Sequence, residues 1–222
     1  MNKRIDYLSN FIKKANYVID IGCDHGYLSV LLLKKEIANH VINIDINKKP
    51  LDSAISNLTK NNLLDKTTNI INDGLKNLNF DFVIDYCFIS GLGSKTIINI
   101  IENNENIIEN FILQTNTNSL DLRKYLLKNN FEIISEDKIV DNNIWYEVIL
   151  AKKTNKNFLD CFSISEIYFG KIEHHLSLDN FKKFINFKYE KNYKKQSDKI
   201  SFKLKEELKI IEKVYNEYSK DN

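Results

Sequence analysis

Short apolar runs alternate with amphipathic segments along the first 130 residues of the chain. The apolar runs predict β-strands at 17–21, 41–45, 69–72, 81–89 and 110–114. Between them, apolar residues recur at helical spacing near 27–35, 50–61, 94–102 and 119–128. This alternation predicts a parallel sheet with helices on both faces, preceded by a helix over 3–14 that covers the sheet.

The pattern then changes from alternation to pairing. Two strand-like runs at 131–139 and 144–152, joined by 140–143, predict an antiparallel hairpin. After a mixed connection, apolar spacings of three and four predict two charged helices that pair around a turn at 196–198. Their apolar seams are Phe181, Phe184, Ile185 and Tyr189, and then Leu204, Leu208, Ile211, Tyr215 and Tyr218.

Together these elements predict an α/β chain in two parts. Residues 1–153 form a Rossmann-like domain whose sheet is closed by the antiparallel hairpin, and 154–222 form the connection and a coiled-coil-like helical hairpin. Charge differs between the ends, since 1–150 hold 16 Lys and Arg against 19 Asp and Glu, whereas 151–222 hold 16 against 11. This basic end favours an anionic partner, and a solvated helical surface explains it equally well.

The three cysteines, Cys23, Cys87 and Cys161, lie far apart and form no CxxC pair. We therefore expect neither a disulfide framework nor a metal site. The N-terminus is charged and no apolar run approaches the ~18 residues of a membrane span. These features predict a cytoplasmic protein, which we expect to be a monomer.

The segment 18–28 carries the most chemical information. An apolar strand enters a turn that contains Gly22 and Gly26, a helix follows, and the next strand ends at Asp45. Glycines let the backbone turn sharply and approach a ligand, and a carboxylate at a strand end accepts hydrogen bonds from a ribose diol. The arrangement predicts a nucleotide-binding Rossmann-like unit.

The same turn argues against a dinucleotide. Asp20 and Asp24 would repel a pyrophosphate at a helix N-terminus, but they suit a cationic ligand such as S-adenosylmethionine, which carries a sulfonium and an amino group. The closing strand hairpin also favours a class I methyltransferase, because plain dinucleotide folds usually lack it. Another nucleotide-binding fold and a purely structural turn remain alternatives for this segment.

Further polar residues follow other strands. Asp73 can accept the adenine amino group or cap a turn, and Gly91 and Gly93 leave room for a flat substrate. The amides of Gln114 and Asn116 can bond a base edge. Single residues have plainer interpretations too: Cys23 as a small turn residue rather than a reactive thiol, His25 as a helix cap rather than a base, His174 and His175 as surface residues, and Trp145 as packing in the hairpin.

The ordered motifs resemble those of the bacterial tRNA adenine-22-N1 methyltransferases. The resemblance runs through 21–28, 72–75, 90–94, 113–116 and 146–148, and its specific element is Asp24-His25-x-Tyr27-Leu28. The chain departs from the family pattern at Cys23, Gly26, Ser29, Leu92, Ser94 and Thr115.

The resemblance implies methyl transfer from S-adenosylmethionine to N1 of adenine 22 in the D-stem of tRNA. The N1 lone pair is itself the nucleophile, so catalysis rests on placement and on a carboxylate near the developing cation. Asp24 is the first candidate for that carboxylate, with His25 beside it, and a role in shaping the turn is its alternative. The expected cofactor-binding residues are Asp20, Gly22, Cys23, Asp24, Gly26, Asp45, Ile46, Asp73 and Gly74.

Expected substrate-binding residues divide between the sheet edge and the basic end. They are Tyr27, Ser90, Gly91, Leu92, Gly93, Gln114 and Asn116, followed by Lys191, Lys194 and Lys195 as a clamp on tRNA phosphates. Two other functions stay open: methylation of another RNA or a small molecule, and RNA binding by a non-catalytic relic of the Rossmann unit. The complete turn over 20–26 and Asp45 argue against a relic.

Overall fold

The structure is a computed structural model that describes residues 3–104, 108–193 and 202–219. Its centre is a seven-stranded sheet of order β3-β2-β1-β4-β5-β7-β6. The first five strands are parallel, and β7 runs antiparallel to both β5 and β6. The strands are β1 Ala15–Ile21, β2 Ala38–Asp45, β3 Thr67–Ile71, β4 Tyr86–Gly93, β5 Asn110–Thr117, β6 Phe131–Asp141 and β7 Ile144–Lys153.

Helices follow the strands as the alternation predicts. They are α1 Lys3–Leu8, α2 Tyr27–Lys34, α3 Lys48–Lys60, α4 Ser94–Glu102, α5 Ser119–Lys128, α6 Ile164–Phe169, α7 Leu178–Tyr193 and α8 Phe202–Ser219. The predicted α/β class and the closing antiparallel hairpin are therefore confirmed.

Two apolar layers cover the sheet. On one face Ile19 and Ile21 of β1 pack in a cluster that includes residues of α4 and α5. On the other face Val18 packs with residues of α1, α2 and α3. Because both faces are buried, the segment Val18–Ile21 of β1 is apolar except for Asp20. A buried charged residue in such a strand is a candidate for function.

Several predicted element boundaries were wrong, notably at the first helix and the fourth strand. The first helix ends at Leu8 and continues only as a 3-10 turn over Ser9–Phe11, although Leu8, Phe11 and Ile12 are buried as the helical face predicts. The fourth strand begins at Tyr86 rather than 81, and it extends through Gly93. Residues 90–93 therefore belong to a strand, with irregular pairing to β5 around Leu92, and not to a loop after it.

The β6–β7 turn is built on two asparagines. Asn142 and Asn143 both have positive φ, +49° and +61°, and Asp141 pairs directly with Ile144. Asparagine tolerates this left-handed backbone, which a two-residue hairpin turn requires because its twist then matches that of the strands.

The C-terminal helices α7 and α8 pack against each other. Their shared cluster contains Phe181, Phe184, Ile185, Ile211 and Val214. Tyr189 stacks on Tyr215 with ring centroids 4.3 Å apart. The side chains of Leu204, Leu208 and Tyr218 and the turn at 196–198 lie outside the described residues.

This C-terminal part also contacts the sheet. Trp145 of β7 packs edge-on against Phe184 of α7, with ring centroids 5.4 Å apart. Asn180 of α7 donates a hydrogen bond to the Tyr7 hydroxyl at 3.3 Å. The division at residue 153 stays a prediction, and any folding of 1–153 alone would expose this interface.

Candidate active site

A cavity of about 480 Å³ lies at the carboxyl ends of β1, β2 and β4, where ligands of open α/β sheets bind. Most of the predicted site residues line it. They are Asp20, Gly22, Cys23, Asp24, His25, Tyr27, Asp45, Ile46, Asp73, Gly74, Ser90, Gly91 and Leu92. Gly26, Gly93, Gln114, Asn116 and Lys191 are placed elsewhere, and Lys194 and Lys195 lie outside the described residues.

The glycine turn is held against neighbouring elements. Gly22 has a φ of +70° and donates its N–H to the Ile44 carbonyl at 2.8 Å. Gly26 has a φ of +66°, and a Cβ there would lie 3.0 Å from the Ala54 Cβ. Gly26 therefore serves the site by letting α3 approach the turn, not by touching a ligand.

Asp20 is the buried acid of the cavity. Burial raises the pKa of Asp20 to about 7, and the negative charge of Asp45 adds to this, while the Ser29 hydroxyl opposes it. The Ser29 hydroxyl lies 3.5 Å from the Asp20 carboxylate and hydrogen-bonds Asn43 as well. A cationic ligand beside Asp20 would stabilise the charged carboxylate, so the cavity suits a sulfonium or an ammonium group.

Asp45 and Ile46 form the part of the wall suited to a nucleoside. The Oδ1 atom of Asp45 accepts the N–H of Asn47 at 2.9 Å, which fixes the carboxylate at the end of β2. Ile46 is 61% exposed, unusual for a large apolar side chain, and it lines the same cavity. A ribose diol on Asp45 and a base against Ile46 would use both features.

The turn after β3 leaves Asp73 exposed. Asn72 makes the turn bonds, because its side-chain amide donates to the carbonyls of Gly74 and Lys76, both at 3.0 Å. At Gly74, φ is +59° and a Cβ would lie 2.9 Å from Ile100. No helix follows this turn, so the structure disfavours a helix-capping role for Asp73. The turn and ligand interpretations both stay predictions, and the Asp73 side chain is exposed.

Asp24 and His25 project from the turn into solvent. Their side chains are 70% and 52% exposed, and His25 Nε2 lies 3.7 Å from Asp24 Oδ1. Gly26 is the N-cap of α2 and no side chain caps that helix, so the capping interpretation of His25 was wrong. The ring of Tyr27 lies 5.6 Å from that of His25 and is also exposed. A carboxylate, an imidazole and an aromatic ring thus stand together at the cavity mouth.

Gln114 is buried behind the cavity wall. Its Oε1 accepts hydrogen bonds from Arg4 Nη1 at 2.6 Å and from the Gly91 N–H at 3.1 Å. Its Nε2 donates to Asn116 Oδ1 at 3.1 Å, and Asn116 Nδ2 donates to the Gly91 carbonyl at 2.6 Å. These bonds favour an indirect role, in which Gln114 fixes the substrate-side strand rather than touching a base.

Arg4, which was not among the predicted site residues, lines the cavity from α1. A signal was present, because Arg4 and Arg123 are the only arginines among 32 basic residues. Each arginine uses its planar guanidinium to donate to an acceptor that the fold holds in place. Arg4 donates to Gln114, and Arg123 donates to the buried carboxylate of Glu136 at 2.7 Å.

The structure distinguishes the two interpretations of Cys23. Burial raises the pKa of the Cys23 thiol well above its ordinary value, which supports a small turn residue and not a reactive thiolate. Tyr189 packs on Tyr215, in the apolar seam predicted for it. Lys191 is exposed on α7, with its Nζ 5.3 Å above the ring of Phe187.

No described helix combines the length and apolar character needed to cross a bilayer. Within the same residues, no group of three or more His, Cys, Asp or Glu side chains is arranged to hold a metal ion.

Known proteins are similar to this chain in sequence and in fold. A model of the family TrmK, tRNA (adenine(22)-N(1))-methyltransferase, matches residues 18–219. The Mycoplasma genitalium protein MG248 is 34% identical over 161 residues, which cover 71% of this chain and 72% of that protein. The tRNA (adenine(22)-N(1))-methyltransferase of Bacillus subtilis is 26% identical over 160 residues, covering 71% and 67%.

A solved structure matches over nearly its full length. TrmK of M. capricolum in complex with S-adenosyl-homocysteine is 28% identical, with a TM-score of 0.84. The match covers 97% of this chain and 98% of that one. The described fold is therefore that of a protein which binds the product form of the expected cofactor.

Proposed function

The chain belongs to the tRNA (adenine(22)-N(1))-methyltransferase family, and we propose on that premise that it methylates N1 of adenine 22 in the D-stem of tRNA. S-adenosylmethionine is its methyl donor. The observation that carries the proposal is the cavity at the strand ends, where the buried Asp20, the fixed Asp45 and the exposed Asp24 converge. Each carboxylate suits a different part of the cofactor or of the target adenine.

The cavity residues fit the cofactor. Asp20, with its raised pKa, faces the sulfonium and amino end, because a cation there removes the cost of charging a buried acid. Asp45 accepts the ribose hydroxyls, Ile46 packs on the adenine, and Asp73 accepts its amino group. When bound, S-adenosylmethionine supplies an electrophilic methyl group to the N1 lone pair.

The chain's own residues position and stabilise rather than attack. The target adenine must leave its stack to expose N1, and Tyr27 offers an exposed ring on which it stacks. Asp24 lies beside it and stabilises the positive charge that the adenine ring acquires. His25, 3.7 Å from Asp24, orients that carboxylate. No side-chain nucleophile and no metal are needed, because the attacking atom belongs to the base.

The C-terminal helices extend the surface toward the RNA. Lys191 on α7 is exposed, and we propose that it contacts phosphate together with Lys194 and Lys195, which lie outside the described residues. We propose that the enzyme acts as a monomer. We place the enzyme in the cytoplasm, where its tRNA substrate resides.

A methyl-transfer assay tests this function. Labelled S-adenosylmethionine is supplied with an unmodified tRNA transcript that carries adenine at position 22, and with a matched transcript that carries guanine there. We expect label in the first RNA only. Equal labelling of both would favour another site or another RNA, and binding of tRNA with no labelling would favour the non-catalytic alternative.

A further inference from the structure

A second cavity, of about 430 Å³, lies between the carboxyl end of β5, the β6–β7 hairpin and α7. Asn116 connects it with the cofactor cavity. Its side chain lines the second cavity, while its Nδ2 donates to the carbonyl of Gly91, which lines the first. A residue of the second cavity is thus hydrogen-bonded to the wall of the first.

An aromatic wall forms one side of the second cavity. Trp145 lies between Phe184 and Phe187, with ring centroids 5.4 Å and 6.1 Å away. Trp145 is half-buried and lines the cavity, so part of its indole is available to another flat ring. Aromatic side chains in this setting stack nucleobases without regard to sequence.

Positive charge stands at the rim of this wall. Lys188 Nζ lies 5.3 Å above the ring of Phe184, and Lys191 Nζ lies 5.3 Å above Phe187. Both lysines line the cavity, which places ammonium groups beside the aromatic surface. The aromatic surface can stack a base, and the ammonium groups beside it can contact the phosphate of the same nucleotide.

The floor of the cavity is polar, and its carboxylate is paired with the buried cations Arg123 and Lys138. Glu147 lines it and accepts hydrogen bonds from the Ser119 hydroxyl at 2.5 Å and from Arg123 at 3.1 Å. Burial raises the pKa of Glu147, but the charges of Lys138 and Arg123 outweigh burial and hold this pKa well below its usual range. A fixed carboxylate can accept hydrogen bonds from an exocyclic amino group of a base.

We propose that this cavity binds a second, unstacked nucleotide of the tRNA while the target adenosine occupies the cofactor cavity. The proposal rests on the proposed function. Methylation of N1 requires the target adenosine to leave its base pair and its position in the base stack. The neighbouring nucleotides then lose a stacking partner. The second cavity is linked to the first by the Asn116–Gly91 hydrogen bond, and it has an aromatic wall and a lysine rim. It can therefore hold one of those neighbours and keep the stem open.

The single tryptophan of the chain makes this directly measurable. The emission of the full-length protein is recorded while unmodified tRNA is added in the presence of S-adenosylhomocysteine, and binding is followed separately by gel shift. We expect emission to fall by about half or more, and acrylamide to quench the remainder less effectively, because a stacked base covers Trp145.

Saturable tRNA binding with unchanged emission and unchanged acrylamide quenching would overturn the second site and leave the methyl-transfer function standing. Absence of tRNA binding would overturn both. Equal quenching by free adenosine monophosphate at the same concentration would assign the cavity to a mononucleotide and contradict the proposal.

A charge-matched pair of variants separates the cavity from general electrostatics. Lys188→Glu places a carboxylate at the rim, whereas Lys182→Glu makes the same change elsewhere on α7, outside the cavity lining. We expect the KM for tRNA to rise about tenfold in K188E and less than threefold in K182E, with S-adenosylhomocysteine affinity unchanged in both. Equal effects of the two variants would overturn a specific role for the rim.

Discussion

Asp20 and Asp45 stand near the carboxyl ends of adjacent parallel strands, close enough that the charge of Asp45 helps raise the pKa of Asp20. Two carboxylates that share a cavity repel each other unless a cation joins them. The free site is thus electrostatically incomplete, and a ligand with a sulfonium and an ammonium group completes it. This relationship leads to two predictions on pH.

Cofactor binding should depend on the ionisation of Asp20. Because the pKa of Asp20 is about 7 in the free protein, the charged form that favours a cation is lost as pH falls through 7. We expect S-adenosylmethionine affinity to weaken toward tenfold per pH unit below that point, since one proton is released on binding. Calorimetry from pH 5.5 to 8.5 measures this slope. The Asp20→Asn variant should bind S-adenosylmethionine weakly at every pH. If its affinity depended on pH as steeply as that of the wild type, Asp20 would be excluded as the titrating group.

The same pKa predicts how the free protein's stability depends on pH. The folded state holds the Asp20 proton up to about pH 7, whereas the unfolded chain loses it near pH 4, so folding becomes less favourable as pH rises between these values. At about 1.4 kcal/mol per unit, the loss reaches at most about 4 kcal/mol at pH 8. We expect D20N to be more stable than wild type at pH 8 and similar at pH 4, as measured by denaturant unfolding. Greater wild-type stability at pH 8 would contradict the raised pKa.

Asp45→Ala should weaken cofactor binding by about 1–3 kcal/mol, because a charged acceptor for the ribose hydroxyls is lost. The Asn47 N–H, which Asp45 now accepts, also loses its partner. Calorimetry with S-adenosylhomocysteine measures the change, and circular dichroism checks that the variant is folded. Unchanged affinity in a folded variant would remove Asp45 from the site.

Asp24→Asn should act on the chemical step. The side chain is 70% exposed, so the substitution leaves the fold intact. Loss of a carboxylate beside the developing cation should lower the single-turnover rate by about 30- to 100-fold, while tRNA and cofactor affinities change less than threefold. If only cofactor affinity falls, Asp24 belongs to the cofactor turn and not to the chemistry.

The Gln114→Leu substitution should disrupt the wall of the cofactor cavity without removing a contact to a ligand. The substitution leaves the N–H of Gly91 without its acceptor and Arg4 without its bond to Oε1 in a buried setting, which costs about 1–3 kcal/mol of stability. We expect a matching fall in the denaturation midpoint and a slower methylation rate with little change in cofactor affinity. A stable variant whose tRNA affinity alone falls would instead support direct contact between Gln114 and a base.

Much of this architecture is predictable from sequence because short segments of the chain specify it. The strand–turn–helix around Gly22 and Asp45 is specified within one βαβ unit, so the pattern predicts it directly. The Arg4–Gln114 bond joins residues 110 positions apart, and no local pattern contains it. Likewise, nothing local to Trp145 shows that α7 packs beside it and leaves a second cavity. Packing between distant segments decides these features.

The most direct test identifies the product and its position. Purified protein is incubated with S-adenosylmethionine and an unmodified tRNA transcript, the RNA is cut by a base-specific ribonuclease, and the fragments are sequenced by mass spectrometry. We expect N1-methyladenosine at position 22 with wild-type protein and a strongly reduced yield with D24N. Methylation at another position, on another atom, or not at all would contradict the proposed function.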